Sequence, residues 1–367
     1  MRLLFVTAHP HVPQIAGGSQ SSTHELAIEI GARGHWVGVL AGLYHKDALG
    51  LLNRAVMKAT GRRMLCDRRP GYPTFRKWFV WEDVEETLER ARPDVVVVTA
   101  GQPFRVAPAF ARHGVPLVVY LRDVEFARQG GTPADLPDGA VYVANSRFTA
   151  GRYREAFGIE PIPIPPMFIA ERYATRRDPK VVTFVNPHGL KGRDVAFDIA
   201  ERCPDIPFSF VEGWPLDDAE RRINAERARR APNVSLDPRT RDMRTVYART
   251  RILLAPSRWE EAWGRVASEA HYSGIPVVAA RRGGLPESVG SGGVLIEPDA
   301  PVEAWVEAVR RLWDDPHHYA VMCEAALAYA RRPELDPARQ VDRLIEAIEA
   351  ARDRRPPVPD APAAARA

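Results

Sequence analysis

Short apolar runs alternate with segments of helical periodicity along the first half of the chain. The runs PDVVVVT and VPLVVYL are continuous apolar stretches bounded by proline and polar residues. Such runs are typical of strands that are buried on both faces of a parallel sheet. The predicted strands are Leu3–Thr7, Trp36–Ala41, Asp94–Thr99, Pro116–Leu121 and Ala140–Ala144. The predicted helices between them include Gln20–Arg33, Val84–Ala91 and Arg147–Phe157.

A second series of the same kind follows a proline-rich break. The segment Gly158–Pro166 (GIEPIPIPP) contains four prolines, which predict an extended, stiff linker between domains. The strands predicted after it are Val181–Val185, Pro207–Glu212, Asn233–Leu236, Arg251–Leu254, Pro276–Ala279 and Gly293–Ile296. Two doubly wound α/β domains joined by a linker are the simplest account of this alternation.

The pattern also places the domain boundaries. We expect an N-terminal Rossmann-like domain over residues 1–160 and a C-terminal domain over 161–336. A last helix, 337–354, is predicted to pack on one of the two domains, and packing back on the N-terminal domain is one option. The tail, 355–367, contains only Pro, Ala, Val, Asp and Arg, a composition that predicts disorder.

Composition narrows the cellular setting. The 367 residues, 45% hydrophobic and 27% charged, suit a two-domain globular protein. Three widely spaced cysteines without a C-x-x-C pair predict a reducing compartment rather than a disulfide framework or a zinc site. The chain start lacks a signal-type apolar region, and no run of eighteen apolar residues occurs. We therefore expect a cytoplasmic protein, with peripheral association at the inner face of the cell membrane left open.

The stretch Pro256–Glu287, PSRWEEAWGRVASEAHYSGIPVVAARRGGLPE, carries the most specific pattern in the chain. A strand leads into a polar turn, a helix opens near Trp263 and Gly264, and a second strand and a Gly-Gly turn follow. A helix start at the carboxyl edge of a parallel sheet favours a diphosphate, because it offers free backbone N–H groups and a positive dipole end. Gly264 permits close backbone approach, and the carboxylates of Glu261 and Glu269 can accept hydrogen bonds from sugar hydroxyls. The pattern therefore suits a nucleotide-sugar.

This stretch resembles the signature of the retaining glycosyltransferase family 4, also called glycosyl transferases group 1. Three further segments are similar to the family, namely IAGGSQSSTHELAIEIGARGHWV, ANSRFTAGRYREAFGI and GLKGRDVAFDIAERCPDIPFSFVEG, so the resemblance covers about residues 1–350. It implies the GT-B fold, in which two Rossmann-like doubly wound parallel-sheet domains face a central cleft. It also implies a retaining, metal-independent, hexosyltransferase-type enzyme of glycan biosynthesis. Its donor would be a nucleotide-diphosphate-sugar, its acceptor a glycan, a lipid-linked molecule or a small molecule, and it would need no cofactor.

The resemblance assigns roles to individual residues. Glu269 would bind the ribose hydroxyls, Glu261 would orient the transferred sugar, and Lys191 would neutralise the leaving diphosphate, which is the main electrostatic task in the transfer. Backbone N–H groups around Trp263–Arg265 would cap the diphosphate, and the glycines after the first strand would let that loop approach the donor. The candidate catalytic residues are Glu261, Lys191, Asp123 and Arg122. The candidate donor-binding residues are Gly17, Gly18, Asn186, Lys191, Arg258, Trp263, Gly264, Arg265, Val266 and Glu269.

Two positions depart from the family pattern. Asn186 stands where the family usually has an arginine five residues before the lysine, so one phosphate cation is missing. The arginines that are candidates to replace it are Arg193, Arg258 and Arg265. Arg122 and Asp123 stand after the fourth strand, where the family often has a histidine near the reacting carbon. They are either part of an altered active-site wall or a surface turn.

Other functions remain as alternatives. A GT-B-fold epimerase or phosphorylase would share the architecture, and so would a non-catalytic nucleotide-sugar-binding subunit. The chain has no D-x-D motif, so a metal-bridged diphosphate is not expected. We interpret His9, His11 and His24 as polar loop residues rather than as metal ligands. No Asp or Glu stands at a spacing that would support these histidines as ligands of a metal ion. No nucleic-acid partner is expected.

The stretch Arg54–Lys77 is strongly basic. It holds eight basic residues and one acid, Asp67, so its net charge of +7 exceeds the +4 of the entire chain. Apolar side chains are interleaved with the basic ones, and this combination favours an anionic interface. We expect the stretch to help receive an anionic or membrane-attached acceptor. The alternative is a mobile, arginine-rich loop that needs no ligand.

Overall fold

The chain forms two α/β units in a computed structural model that describes residues 1–15 and 17–354. Within the described residues, unit 1 comprises Met1–Ala144, Ala150–Ile164 and residues 341–354. Unit 2 comprises Asn145–Thr149 and Pro165–Gln340. The tail 355–367, predicted to be disordered, lies outside the described residues.

The described part of unit 1 contains an eight-stranded sheet. Its strand order is β3-β4-β2-β1-β5-β6-β7-β8, and neighbouring strands are parallel except for the antiparallel pair of β3 and β4. The five strands predicted for this region are confirmed, with shifts of one to three residues at some ends. The strands are β1 (Arg2–Pro10), β2 (Trp36–Gly42), β3 (Leu65–Asp67), β4 (Thr74–Lys77), β5 (Val95–Val98), β6 (Leu117–Leu121), β7 (Val141–Ala144) and β8 (Ile162–Pro163).

Helices follow the strands of unit 1 in the βα order of a doubly wound domain. The central strands carry unbroken apolar runs because helices cover both of their faces; the four valines of β5 are fully buried. Within unit 1, Arg33 forms an ion pair of 2.7 Å with Asp342 of the last helix, and Arg343 donates to the carbonyl oxygen of Pro163 at 2.8 Å. The helices are α1 (Gly18–Ala32), α2 (Ala48–Thr60), α3 (Val84–Ala91), α4 (Pro103–Ala111) and two helices that begin in unit 2 and continue in unit 1, α5 (Arg147–Phe157) and α13 (Pro337–Asp353).

Unit 2 is built on a six-stranded parallel sheet, counted over the described residues. Its strand order is β11-β10-β9-β12-β13-β14, and the six strands predicted for this region are confirmed. The strands are β9 (Val181–Val185), β10 (Phe208–Val211), β11 (Val234–Asp237), β12 (Thr250–Ala255), β13 (Val277–Ala280) and β14 (Gly293–Ile296). The helices are α6 (Arg193–Arg202), α7 (Asp218–Arg230), α8 (Arg244–Tyr247), α9 (Arg265–His271), α10 (Leu285–Val289), α11 (Val302–Asp314) and α12 (Pro316–Ala330).

Each sheet has a topological switch point. In unit 1 the chain runs outward from β1 on one side and then returns to place β5 on the other side, so the switch point lies between β1 and β5. In unit 2 the same reversal lies between β9 and β12. At such a point the loops after the two strands diverge and leave a crevice at the carboxyl edge, where open α/β sheets bind their ligands.

The proline-rich segment Gly158–Pro166 is not purely a connection. Ile162 and Pro163 form the edge strand β8, paired with Val143 and Ala144 of β7. The hydroxyl of Tyr120 donates to the carbonyl oxygen of Ile164 at 2.8 Å. Proline fits an edge strand because one side of the strand needs no N–H donor. The division between the units falls directly after Ile164.

The basic stretch Arg54–Lys77 contains the end of helix α2 and two strands rather than a single loop, while its need for a ligand stays a prediction. Asp47 caps helix α2 by accepting a hydrogen bond from the N–H of Gly50 at 2.7 Å, and Gly61 ends the helix in the left-handed conformation at φ +68°. The strands β3 and β4 follow. They escaped prediction because β4 reads TFRK, and two cations in four residues resemble a surface segment.

Arg76 and Lys77, two of the eight basic residues of this stretch, lie inside unit 1. Both side chains are buried. Arg76 forms an ion pair of 2.6 Å with Asp67 on the neighbouring strand β3. The ammonium of Lys77 donates to the carbonyl oxygens of Glu82 and Asp83 at 2.6 and 2.9 Å, and burial lowers its pKa. These two cations stabilise unit 1. The exposed basic residues are Arg54, Lys58, Arg62, Arg63, Arg68 and Arg69.

No helix among residues 1–15 and 17–354 is both long and apolar enough to cross a lipid bilayer.

Candidate functional site

Two loops meet at the switch point of unit 2. One loop follows β9 and contains Lys191, and the other follows β12 and contains Glu261. The carbonyl oxygen of Leu190 accepts hydrogen bonds from the backbone N–H groups of Arg258 and Trp259, at 3.0 and 2.9 Å. The two loops therefore form one hydrogen-bonded edge.

Lys191 and Glu261 form an ion pair at this edge. The Lys191 ammonium lies 2.5 Å from Oε1 of Glu261, which also accepts a hydrogen bond from the hydroxyl of Ser257 at 3.2 Å. The side chains are 14% and 18% exposed, so both remain accessible from one side. Lys191 therefore offers a fixed positive charge to an approaching phosphate. Its present partner, the Glu261 carboxylate, lies close enough to contact the same ligand.

Glycines permit the close approach of the chain segments at this edge. Gly192 has φ +83°, and a Cβ atom there would lie 1.9 Å from the carbonyl oxygen of Pro256. The Gly-Gly turn packs behind Glu261: the N–H of Gly284 donates to the Glu261 carbonyl oxygen at 2.6 Å, and a Cβ on Gly283 would lie 2.4 Å from that oxygen. Side chains at these positions would displace Glu261 from Lys191.

Helix α9 begins at the same edge with an open N-terminus. Gly264 precedes it with φ +86°, and a Cβ atom there would lie 2.6 Å from Cδ2 of Leu285. Among the residues that the structure describes, no side chain caps this helix start, and its first turn has no acidic residue. Trp263 is buried, and its indole N–H donates to the Ser268 hydroxyl at 3.0 Å. At Trp263 only the backbone is available to a ligand, while Val266 packs partly against the core.

Glu269 joins a buried network below the helix start. Its carboxylate accepts hydrogen bonds from the Tyr247 hydroxyl at 2.9 Å and from Nε of Arg265 at 3.2 Å, and its residue is 8% exposed. The Arg265 guanidinium also donates to the carbonyl oxygen of Met167 at 3.2 Å and to the hydroxyl of Tyr173 at 2.7 Å. Burial, reinforced by the charge of Glu269, raises the pKa of Tyr247 well above its ordinary value.

Two of the three arginines considered as replacement phosphate cations already hold carboxylates. Arg265 pairs with Glu269, and Arg193 is a buried partner of Glu220. Arg258 is exposed and lines a cavity of about 250 Å³ together with Arg282 and Asp299. Arg258 is therefore the candidate of the three whose side chain is not committed to an ion pair within the described chain.

Asn186 has a structural role that could not be predicted from its residue type. It adopts the left-handed conformation at φ +69°, and its side-chain oxygen accepts a hydrogen bond from the backbone N–H of Trp214 at 3.1 Å. Trp214 follows β10 and lies beside the site: the Lys191 ammonium is 4.6 Å from the centroid of its ring. Sequence reasoning missed Trp214 and Tyr247. A tryptophan directly after a strand of this edge was the available signal for the first, and none was present for the second.

The carboxyl edge of unit 1 carries Arg122 and Asp123 after β6. Arg122 donates to the carbonyl oxygen of Ser19 and to the hydroxyl of Thr23, at 2.9 and 2.7 Å, and its guanidinium stacks 4.2 Å above the Tyr120 ring. It therefore fixes the start of helix α1 to strand β6.

Asp123 follows Arg122 at the same edge and is also half-buried. It accepts hydrogen bonds from the side-chain amide of Gln129 and from the N–H of Glu125. Burial raises its pKa, while burial lowers the pKa of His9 and the charge of Asp123 opposes that shift. The carboxylate and the imidazole thus influence one another at the ends of β6 and β1.

Gly17 and Gly18 lie where the β1 loop enters helix α1. Gly17 has an extended backbone with φ −116°, and a Cβ atom on it would lie 2.9 Å from Oε1 of Gln20. Gly18 is the first residue of α1. The amide of Gln20 is the far end of a flexible side chain and can move aside, so neither the space nor the backbone conformation at Gly17 requires a glycine. Their contact with a donor stays a prediction.

The remaining histidines of this region form a buried polar cluster. The Tyr72 hydroxyl lies 2.7 Å from Nε2 of His11 and 2.9 Å from Nδ1 of His24. Burial, with the positive charges of His24, Arg76 and Arg122 adding to it, lowers the pKa of His11 to about 3. Within the described ranges, no group of three or more His, Cys, Asp or Glu side chains is arranged to hold a metal ion.

Comparison with known proteins places each half of the chain in a glycosyltransferase family. Residues 16–172 match the model of Glycosyltransferase Family 4, and residues 201–315 match that of Glycosyl transferases group 1. A D-inositol 3-phosphate glycosyltransferase of Corynebacterium glutamicum is 42% identical over 99 residues, 26% of this chain and 23% of the relative. One from Segniliparus rotundus is 32% identical over 217 residues, 52% of this chain and 48% of the relative. The chain thus spans about a quarter to a half of these curated relatives.

Solved structures share the fold at low sequence identity. HepE of Anabaena, solved with UDP and with UDP-glucose, superposes with a TM-score of 0.75 at 18% identity over 95% of this chain and 99% of that chain. A sucrose-phosphate synthase from Thermosynechococcus elongatus gives a TM-score of 0.74 at 14% identity over 94% and 97% of the two chains. With two parallel-sheet α/β units and both family models matched, the chain belongs to glycosyltransferase family 4, the glycosyl transferases group 1, and has the GT-B fold.

Proposed function

We propose that this protein is a retaining glycosyltransferase that moves a hexose from a nucleotide-diphosphate-sugar to an anionic acceptor. The observation that carries the proposal is the ion pair of Lys191 and Glu261 at the switch point of unit 2. A cation and a carboxylate at a crevice of this kind suit the two parts of the donor, because one neutralises the diphosphate and the other accepts hydrogen bonds from sugar hydroxyls.

Lys191 contributes to the reaction by stabilising charge. As the bond between sugar C1 and the diphosphate oxygen breaks, negative charge grows on the diphosphate, and a new bond forms from C1 to the acceptor oxygen. The hydroxyl proton of the acceptor leaves with the diphosphate, so the step balances. A fixed ammonium lowers the barrier because it meets this charge more strongly in the transition state than in the ground state. The uncapped start of α9 adds backbone N–H donors nearby.

We propose that the transfer needs no metal ion. Lys191 supplies the positive charge that a metal supplies in enzymes with a D-x-D motif, and the chain has no such motif. The resemblance to a retaining family supports retention of the anomeric configuration, and NMR of the product anomer tests it. Loss of activity in EDTA that Mg²⁺ restores would contradict the metal-independent part, and an inverted product would contradict retention.

The acceptor is proposed to be anionic. The curated relatives are named for D-inositol 3-phosphate, a phosphorylated molecule. Unit 1 also presents what we call the basic surface: six exposed cations beside two leucines of α2 that are 58% and 52% exposed. Basic and apolar side chains together suit an anionic lipid interface, which supports the proposal of a lipid-linked acceptor and a peripheral position on the inner face of the cell membrane. The basic surface comprises Arg54, Lys58, Arg62, Arg63, Arg68 and Arg69 with Leu51 and Leu52.

A thermal-shift screen tests the donor half of the proposal. UDP is the first probe, because related structures hold it, and GDP, ADP, CMP and dTDP complete the series. A nucleotide at 100 times its Kd adds about 2.7 kcal/mol of apparent stability, a shift that is easily measured. Lys191→Ala is the matched variant and should reduce the shift for diphosphates. If none of the five nucleotides shifts the wild type, the proposal is wrong.

The alternatives give different readouts. An epimerase interconverts nucleotide-sugars without any acceptor, which product analysis after incubation with donor alone detects. A non-catalytic subunit binds the nucleotide-sugar and never releases free nucleoside diphosphate. We expect slow release of nucleoside diphosphate from the donor in water and faster release when an acceptor is present.

A further inference from the structure

Trp214 is an exposed aromatic side chain beside the proposed donor site. It follows strand β10, which neighbours β9 in the sheet, and its residue is 39% exposed. Large aromatic side chains are usually buried because they remove much apolar surface from water. Its ring centroid lies 4.6 Å from the ammonium of Lys191. None of the roles assigned above involves this ring.

The backbone of Trp214 is held in place. Its N–H donates to the side-chain oxygen of Asn186 at 3.1 Å. Asn186 is itself in the left-handed conformation, which asparagine adopts more readily than most other residues. A Cβ atom on Gly213 would lie 3.3 Å from Cβ of Asn186, so the two segments pack closely. The His188 ring approaches the Trp214 ring edge-on at 5.9 Å.

The position of Lys191 decides which part of a donor reaches the Trp214 ring. Lys191 is the proposed partner of the diphosphate, and the transferred sugar is bonded directly to that diphosphate. The base is separated from the terminal phosphate by the ribose and by a second phosphate. A ring that contacts the Lys191 ammonium is therefore closer to the sugar than to the base. Glu261, 2.5 Å from the same ammonium, is the proposed partner of the sugar hydroxyls.

The chemistry of a hexose matches this pair of neighbours. A hexopyranose has hydroxyls around its rim and an apolar face of C–H groups. Glu261 can accept hydrogen bonds from the rim, while the electron-rich face of an indole packs favourably against C–H groups. Sugar-binding sites need both, because hydroxyl contacts alone leave the apolar face in water.

We propose that Trp214 is a specificity-determining residue whose indole packs against the C–H face of the transferred hexose. The proposal rests on the proposed donor site and goes further by naming the part of the donor that the ring contacts. Asn186 then has a defined role as a positioning residue: it holds the Trp214 segment where the family usually carries an arginine. Compared with the usual family pattern, the site then has one cation fewer for the phosphates and an additional aromatic surface for the sugar.

A ligand series separates the contacts. Calorimetric affinities of UMP, UDP and UDP-glucose are measured for the wild type, Trp214→Ala and Trp214→Phe. UMP lacks the second phosphate and the sugar, and UDP lacks only the sugar. We expect Trp214→Ala to weaken UDP-glucose about tenfold, a typical effect of one lost aromatic contact, while UMP and UDP change less than twofold. Trp214→Phe should recover most of the loss. Ile223→Ala, an apolar residue of α7 that is also 39% exposed, is the matched control and should leave all three affinities unchanged.

Each other outcome overturns the sugar contact. An equal loss for all three ligands from UMP onward would mean that the ring contacts the base. A loss for UDP and UDP-glucose with UMP unchanged would mean that the ring acts only through Lys191. Unchanged affinities for every ligand would leave Trp214 without a role in the donor site. A wild type that binds neither this series nor the GDP, ADP, CMP and dTDP counterparts removes the proposed donor site itself, an outcome seen before any variant is measured.

Discussion

The two units share a topology and use it differently. Both sheets reverse direction at a switch point, β1/β5 in unit 1 and β9/β12 in unit 2. In unit 2 that edge carries a cation and a carboxylate, Lys191 and Glu261, which are paired with each other and remain partly exposed. In unit 1 the polar side chains near this edge form hydrogen bonds within the unit. Arg122 donates to residues of helix α1, and the Tyr72 hydroxyl is hydrogen-bonded to two histidines.

Under the proposed function, in which unit 2 meets the donor and unit 1 the acceptor, this difference follows the chemistry expected of each edge. A diphosphate always brings negative charge and always needs cations and backbone N–H donors, so the residues that meet it form a sequence pattern. An acceptor varies between enzymes, so the edge that receives it has no fixed set of side chains. The contrast predicts that substitutions in unit 2 change donor chemistry by large factors, whereas those in unit 1 change stability or acceptor binding.

The largest effect is expected at Glu269. Replacing it by alanine leaves the buried guanidinium of Arg265 without its carboxylate, and breaking a buried pair in this way costs about 3–5 kcal/mol of unfolding free energy. Nucleotide affinity should fall as well, because the ribose loses its proposed partner. Urea denaturation measures the first effect and calorimetry the second. Glu269→Gln, which keeps an oxygen for the Tyr247 hydroxyl, should lose less stability. Equal unfolding free energies for the wild type and Glu269→Ala would show that the network of Glu269, Arg265 and Tyr247 does not stabilise the fold.

Lys191 should affect turnover rather than stability. We expect Lys191→Ala to lower kcat about 100- to 1000-fold, the usual effect of removing one preorganised charge at a developing anion. Donor affinity should fall much less, and the unfolding free energy should hardly change. Glu261→Ala should also act mainly on kcat. Lys180→Ala, a 67% exposed lysine of the same unit, is the control. An unchanged kcat with a raised KM would assign Lys191 to uniform donor binding instead.

Acid should destabilise both units through one buried histidine each. Burial lowers the pKa of His11 in unit 1 and of His271 in unit 2 to about 3. In the unfolded chain both histidines bind a proton below about pH 6.5, whereas in the folded protein they stay neutral. The unfolding free energy therefore falls as the pH drops from about 6.5 towards 3. At pH 5 each histidine should cost about 2 kcal/mol relative to neutral pH.

Glutamine variants separate the two contributions. His11→Gln and His271→Gln should each reduce the difference in unfolding free energy between pH 7.5 and pH 5.0 by about 2 kcal/mol, whatever their stability at pH 7.5. The pH difference is the readout, because the substitutions also change packing. If neither variant alters that difference, the acid sensitivity comes from other groups. If only His271→Gln does, the polar cluster around Tyr72 accommodates a proton and unit 1 differs from unit 2 in this respect too.

Sequence reasoning succeeded where a pattern depends on local rules. Continuous apolar runs identified eleven of the strands, and the strand–helix–strand pattern of Pro256–Glu287 placed Glu261 before α9 and Glu269 within it, as the structure has them. The resemblance to a family named Lys191 and Glu261 as separate candidates, but their pairing joins positions 70 residues apart and was not predicted. Short strands such as β3, β4 and β8 lack a run long enough to be recognised.

Contacts of single side chains were beyond the sequence. The roles of Asn186 and Arg265 depend on which groups lie opposite them after folding, and composition or spacing contains no such information. Arg76 and Lys77 show the same limit. Cations in a basic stretch are expected at the surface, but both are buried here, because Arg76 pairs with a carboxylate and Lys77 donates to two carbonyl oxygens.

The smallest effects per residue are expected on the basic surface of unit 1, and they test whether unit 1 receives an anionic acceptor at a membrane. Each exposed cation near an anionic bilayer contributes about 1 kcal/mol. Arg62→Ser, which removes a cation that has no ion-pair partner within the described residues, should weaken binding to anionic vesicles about fivefold. Arg63→Ser is the matched comparison: Arg63 already pairs with Asp83 at 2.9 Å, so its removal also frees a carboxylate close to the surface.

The ion pair makes the comparison of Arg62 with Arg63 informative. Both side chains are exposed and adjacent in sequence, but removing Arg63 exposes the Asp83 charge, so this variant should bind anionic vesicles at least as weakly as Arg62→Ser. Asp83→Asn should strengthen binding, because it leaves Arg63 unneutralised. All three differences should vanish in high salt, since a Debye length of about 8 Å at physiological ionic strength shortens to about 3 Å at 1 M. Flotation with vesicles of anionic and of neutral lipid measures them. Flotation that is absent with both lipids, together with unchanged glycosyl transfer in Arg62→Ser, Arg68→Ser and Arg69→Ser, would show that the basic surface serves neither membrane nor acceptor.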